Sequence, residues 1–171
     1  MIDFRSVAKF AAVMLTAAIP AAFAISARAA SLPTRPYLPL DMALKAARAA
    51  LDKCAEDGYL VSAAIVARSG TTKLVIRADG AGPHTIGSST GKAFTAASMG
   101  RPTAMLAGLI ASKPGLAGLR DMDKRLVILG GGLPVLIGGK LVAGIGVGGA
   151  PGGHLDEACA RAGLDAIGAD K

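Results

Sequence analysis

The stretch PVLIGGKLVAGIGVGG, residues 134–149, decides which fold this chain can adopt. Its two apolar runs, PVLI and LVAGIGV, flank the turn Gly138-Gly139-Lys140. A glycine pair between β-branched runs is the signal of a two-residue β-hairpin, because both turn positions need positive φ. The alternative is a dinucleotide loop at GIGVGG, residues 144–149. That fingerprint needs G-x-G-x-x-G followed by a helix and a further parallel strand carrying an acid. Here Gly149 supplies the third anchor only with Gly148 crowding the loop, and after the helix expected next no further strand with its acid is legible before Lys171. The glycines therefore read as places where a strand approaches another backbone or a subunit closely.

Working outward, VSAAIVA (61–67) and TTKLVIRA (71–78), joined through Arg68, Ser69 and Gly70, predict a second hairpin. Runs apolar on both faces predict a sheet covered on both sides. RLVIL (125–129) is a candidate further strand. Leu40, Leu44, Ala47, Leu51 and Cys54 recur at helical spacing, predicting an amphipathic helix capped by Asp41 and stopped at Gly58. Residues 79–90 read as a Gly/Pro/Ser loop. GKAFTAASM and PTAMLAGLIAS read as helical segments, with Pro102 at a first helical position. HLDEACARAGLDAIG predicts a last helix with Leu155, Ala158, Cys159, Ala162, Ala166 and Ile167 on its buried stripe. Asp156 and Glu157 would sit in its first turn, where acids suit the helix dipole. Strands that arrive in hairpins, not singly between helices, predict an α+β fold with an antiparallel sheet.

Residues 1–29 stand apart. Arg5 and Lys9 precede an apolar run over 10–27, and Ala27-Arg28-Ala29 offers a small-x-small cleavage pattern, so the segment reads as a secretory signal peptide, with a membrane anchor as the alternative. The expected organisation is a signal at 1–29, a proline-rich extended arm at 30–39 of the kind that packs on a neighbour, and one domain over 40–171. The expected location is periplasmic or secreted. In that oxidising setting Cys54 and Cys159 either pair or serve as small core residues.

The formal charge is +7, but the bases are scattered and only 4% of residues are aromatic, which leaves no stacking platform for nucleic acid. GSSTGKAFTAA, residues 87–97, resembles a phosphate loop, yet position 86 is Ile86 where the motif needs glycine, and Ala93 replaces its hydroxyl residue. Cys54, His84, His154 and Cys159 lack the short paired spacing of a closed zinc site. A haem axial ligand needs only one or two donors, and His84 and Met99 qualify. No nucleophile elbow or facing carboxylate pair is legible. Asp79, Asp121, Asp123 and Asp156 have solvated-loop or capping explanations.

Three blocks carry a family resemblance: RADGAGPHTIGSSTGKAFTAASMGRPTAML (77–106), GGLPVLIGGKLVAGIGVGG (131–149) and DEACARAGLDAI (156–167). In this order they resemble the GlcG/HbpS family of haem-binding proteins, over roughly residues 39 to 168. The resemblance implies an α+β domain with a five-stranded antiparallel sheet flanked by helices on both faces, assembled into homo-oligomers, often octamers. It also implies binding of haem or a related tetrapyrrole. A haem pocket needs an axial donor, apolar walls and cations for the propionates. The central segment holds these types together: His84 or Met99 as iron donor, Phe94 and Met105 as wall, Lys92 and Arg101 for carboxylates, and Thr103 as a weak oxygen donor. One departure is the Arg68-Ser69-Gly70 turn, where many relatives carry aspartate-glycine. The expected function is haem storage, scavenging or shielding without conventional catalysis. The alternatives are an enzyme or accessory protein acting on a small organic acid or aldehyde such as glycolate, and a ligand-free structural oligomer.

Overall fold

A computed structural model describes residues 31–170; the signal-peptide expectation lies outside them. Among the described residues no helix is long and apolar enough to cross a membrane. The elements run α1 (Leu40–Glu56), β1 (Ser62–Ala67), β2 (Thr72–Arg77), α2 (His84–Met99), α3 (Thr103–Ser112), a 3-10 turn (Pro114–Asp121), β3 (Gly132–Ile137), β4 (Lys140–Gly148) and α4 (Gly153–Ala166).

The strands form one antiparallel sheet of order β2-β1-β4-β3. The α+β class and both hairpins stand as the sequence predicts. Gly138 and Gly139 make the β3–β4 turn at φ of 56° and 73°, which a side chain would strain. Among the described residues the sheet has four strands and not five. Residues 125–129 do not pair as a strand: the Val127 amide donates to Thr95 Oγ1 at 2.9 Å and Ile128 is buried with Leu106 and Ile110, so the segment is spent crossing the helical layer.

Helices cover both faces. On one, α1 and α4 bury Ala43, Ala46, Ala47, Ala50, Cys159, Ala160 and Leu164 against Ala63, Ile65, Leu133, Val135, Ile145 and Val147. On the other, Ala64 and Val66 meet Ala93, Phe94 and Ala97 of α2. The expected helical stripes are met in part: Ala47, Leu51, Cys54 and Cys159 are buried, and the other expected positions are not. Leu40 and Leu44 are 53% and 43% exposed, while small alanines face the core, because α1 packs against both the sheet and α4. Ala158 of α4 is likewise exposed, and Asp156 and Gly163 take its place inside. Asp41 does not cap α1, whose N-cap position is Pro39, and Leu38 of the arm is a core residue.

Cys54 and Cys159 form a disulfide joining α1 to α4, with Cα atoms 5.5 Å apart and a sequence separation of 105. Both are fully buried, so pairing and core packing are one feature.

The glycines of β4 admit α2. A Cβ at Gly144 would meet the Ala93 carbonyl and lie 2.6 Å from the Ala97 amide, and one at Gly146 would strike the Ser89 carbonyl and the Ala93 amide. The helix backbone therefore lies directly on the strand. The helix α2 begins at His84, inside a stretch whose glycines and serines read as a loop: Ser88 and Ser89 are small residues that lie against Gly146 and Gly148, while Gly91 makes room for Val127.

Two stability outcomes follow from this packing. Gly146→Ala should lower the urea midpoint strongly, by about 2–4 kcal/mol, whereas Gly108→Ala, at an open position in α3 with nothing within 4 Å, should be neutral or stabilising by up to about 1 kcal/mol. Replacing both cysteines with serine should cost about 2–5 kcal/mol in the same assay, since the bond closes a long loop in the unfolded chain.

Candidate functional site

The residues singled out by sequence fall into three places along α2 and its continuation. His84 and Met99 are the first and last residues of α2. Fifteen helical steps separate them by about 22 Å, so they cannot ligate one iron together.

At the N-terminal end of α2, His84, Ser88 and Lys92 form one wall of a cleft of about 310 Å³. Leu129 and Gly130 border it, and the loop from Gly149 to Gly153 and Asp156 close it. His84 is exposed, as is Leu129 at 59%. Thr85 beside it is buried; its hydroxyl donates to the Gly82 carbonyl at 2.6 Å and lies 2.7 Å from Ser62 Oγ, which pins this helix end to β1.

The inner wall holds a buried ion pair. Lys92 Nζ donates to Asp156 Oδ2 at 2.7 Å and to the Val147 carbonyl at 3.0 Å, and both residues are 3% exposed. Asp156 Oδ1 accepts from the Ala150 amide at 3.0 Å. Two residues 64 apart in sequence thus join α2, the end of β4, the following loop and α4. Gly131, at φ 112°, makes room for them: a Cβ there would lie 2.6 Å from Asp156 Cβ and 3.1 Å from Lys92 Nζ. The solvated first-turn role expected for Asp156 is replaced by this internal one. The ammonium of Lys92, expected to meet a ligand carboxylate, already has an internal carboxylate and a carbonyl.

Phe94 lies in a different groove, with Gly70, Lys124 and Val127. The Arg125 guanidinium sits 4.0 Å from its ring centroid, a cation–π contact. Arg125 also donates to both carboxylate oxygens of Asp123, at 2.9 and 2.6 Å, and this hydrogen bonding holds the Asp123 carboxyl down to about 2.

The remaining residues gather at the bend between α2 and α3. Met99 is half-buried against Leu106, Ile110 and Ile128. Arg101 is exposed, with Nη1 3.7 Å from the sulfur of Met105, itself exposed. Thr103 is fully buried, and its hydroxyl accepts from the Gly132 amide at 2.9 Å and donates to the Gly132 carbonyl at 3.3 Å. Its oxygen is occupied in the fold.

Sequence reading therefore found His84 and Lys92 of the cleft but missed Asp156 as the lysine's partner and Gly131 as the space for it. No local pattern marks either, because the contact is made across the sheet.

The pair should behave as one buried unit. Asp156→Asn leaves the ammonium without its counterion and should cost about 3–5 kcal/mol in chemical denaturation; the double replacement Lys92→Met with Asp156→Leu should recover much of that loss.

Comparison with known proteins gives a consistent result. The model of a family described as haem degrading protein HbpS-like matches residues 38–165. The crystal structure of a double mutant of Streptomyces reticuli HbpS is 46% identical, with a TM-score of 0.75 over 85% of this chain and 97% of that one. The structure of a PduOC:haem complex is 26% identical, with a TM-score of 0.73 over 79% of this chain and 98% of that one. An uncharacterised 15.0 kDa protein from the dhaT-dhaS intergenic region of Citrobacter freundii is 34% identical over 111 residues, 64% of this chain and 78% of its own.

Proposed function

The chain belongs to the HbpS-like family, and from that membership we propose that it is an exported haem-binding protein that stores, scavenges or shields haem. The observation that carries the reading is the cleft at the start of α2. There an exposed imidazole, His84, stands beside an exposed apolar side chain, Leu129, over an inner wall whose charges cancel.

The donor set fits haem. A neutral imidazole is a haem iron ligand, and apolar surface next to it suits the face of the macrocycle. His84 would hold the iron, with Leu129, Ala150 and Pro151 as the apolar surroundings. Haem would bring a redox-active iron to this cleft, and the protein's part is to bind it and limit its access to solvent. The Lys92–Asp156 pair acts by positioning: it holds α2 and the loop after β4 at a fixed separation, and the width of the cleft depends on that separation. Met99 is the lesser donor, because its thioether packs in the apolar cluster under α3. Phe94, Arg101, Thr103 and Met105 would contribute from outside this cleft or through the fold.

The buried Cys54–Cys159 disulfide supports export, since such bonds persist in oxidising compartments. Together with the basic, apolar N-terminus it favours a periplasmic or secreted location after signal cleavage near Ala29. Exposed Leu40 and Leu44 on the outer side of α1 support a homo-oligomer, for which an octamer is the proposed form. A small-acid site would need Lys92 and Arg101, the cations available in the central segment, to act on one carboxylate. Lys92 points to Asp156 and Val147 while Arg101 lies against Met105, and no observation favours that reading.

Haemin titration followed at the Soret band tests the proposal. The protein should show a saturable shift that His84→Ala weakens at least tenfold and Met99→Leu leaves unchanged. A non-saturating change, equal in all three proteins, would mean adsorption and overturn it.

A further inference from the structure

A second cavity lies at the opposite end of β4 from the His84 cleft. Eight residue steps along β4 separate Leu141 from Gly149, just past its end, about 26 Å, and the two cavities share no lining residue. Here the tips of both hairpins meet: the Arg68 amide donates to the Val142 carbonyl at 3.1 Å. The arm borders the cavity. Leu38, 2% exposed, anchors it in the core, and Arg35, Pro36 and Tyr37 before it line the cavity.

The cavity measures about 480 Å³, within the range of small-molecule sites. Its floor is apolar, from Ala67, Leu141 and Val142. Its charged lining residues are Arg35, Arg68 and Lys140, with no carboxylate among them. None of the three has an ion-pair partner among the described residues, whose ion pairs are Lys53–Asp57, Lys92–Asp156 and Asp123–Arg125. The neighbouring acids are engaged elsewhere: Asp170 accepts from the Gly139 amide at 2.6 Å, and Asp123 is held by Arg125. Lys73 adds a fourth cation, 5.8 Å from the Tyr37 ring centroid on the arm. Exposed, unpaired cations around an apolar floor match a ligand with a negative head and an apolar body. An inorganic anion would leave the floor unused, and a neutral apolar ligand would leave the cations uncompensated.

We propose that this cavity binds an amphipathic carboxylate, its head paired with Arg35, Arg68 and Lys140 and its aliphatic or aromatic body on Ala67, Leu141 and Val142 beneath Tyr37. The site is independent of the haem cleft. The arm is then a strap whose residues form one wall of the ligand site.

Isothermal calorimetry with dodecanoate as the probe tests it. Saturable binding is expected, weakened about tenfold by Arg68→Gln or Lys140→Gln and unchanged by His84→Ala. A tenfold loss corresponds to about 1.4 kcal/mol, the size of one charge-assisted hydrogen bond. These side chains lie at hairpin tips, so the variants should keep the parent melting temperature. Absence of saturable binding overturns the proposal, as does equal competition by inorganic phosphate. Variants that change the oligomeric size while leaving dodecanoate binding intact would assign the surface to a subunit contact and also overturn it. A haemin Soret shift that is lost in Arg68→Gln but kept in His84→Ala would place haem in this cavity, overturning the separate-site proposal and the His84 assignment together. Loss of the shift in His84→Ala alone, with dodecanoate binding intact, supports both.

Discussion

The structure depends on how closely α2 approaches β4. Helices usually stand off a sheet by the thickness of two side-chain layers, about 10 Å, which interdigitating residues fill. In this chain Gly144 and Gly146 remove one layer, and the helix answers with Ser89, Ala93 and Ala97. The opposite face of β4 keeps full-sized side chains, Ile145 and Val147, for the α1 and α4 layer. One strand therefore serves two kinds of packing, and the alternation of glycine with β-branched residues is the covalent record of that asymmetry.

Close packing of this kind has a consequence for charge. Once α2 lies on the sheet, Lys92 is almost fully buried, and an isolated ammonium in such a place would be strongly destabilising. Asp156 and the Val147 carbonyl resolve this, with Gly131 supplying the volume. A buried pair of this sort contributes little net stability compared with apolar residues of the same size. What it does contribute is position: it specifies where α4 and the loop after β4 stop relative to α2, and the cleft beneath His84 is the space left between them.

The two faces of the sheet thus divide the work. The α1 and α4 side is locked covalently by Cys54–Cys159 and filled with alanines that let the two helices lie close together. The α2 side carries His84, the ion pair and the Phe94–Arg125 contact. A rigid layer behind the sheet is a suitable support for a ligand surface in front of it, because little of the binding energy is then spent on ordering the protein.

The sequence by itself determined the α+β class, both hairpins, the four main helical regions and the family, because each depends on contacts between near neighbours or on unbroken motifs. The Gly138-Gly139 turn needs only its own backbone geometry to be recognised. Tertiary structure decided what local pattern does not encode. Residues 125–129 have strand composition yet cross the helical layer, since their partners are Thr95, Leu106 and Ile110 and not another strand. Residues 84–90 have loop composition yet form helix, since the requirement for small residues comes from β4, over fifty positions away. The apolar stripes of α1 and α4 hold at Ala47, Leu51, Cys54 and Cys159 and shift elsewhere, because small residues such as Ala43, Ala46 and Gly163 are needed where two helices and a sheet meet. Asp156 has the position of a solvated first-turn acid, and becomes the partner of Lys92 only where the fold brings the first turn of α4 to Lys92 at the end of β4. Long-range packing assigned each of these residues its role, since the free energy of burying a charge or a backbone is set by the groups the fold places around it.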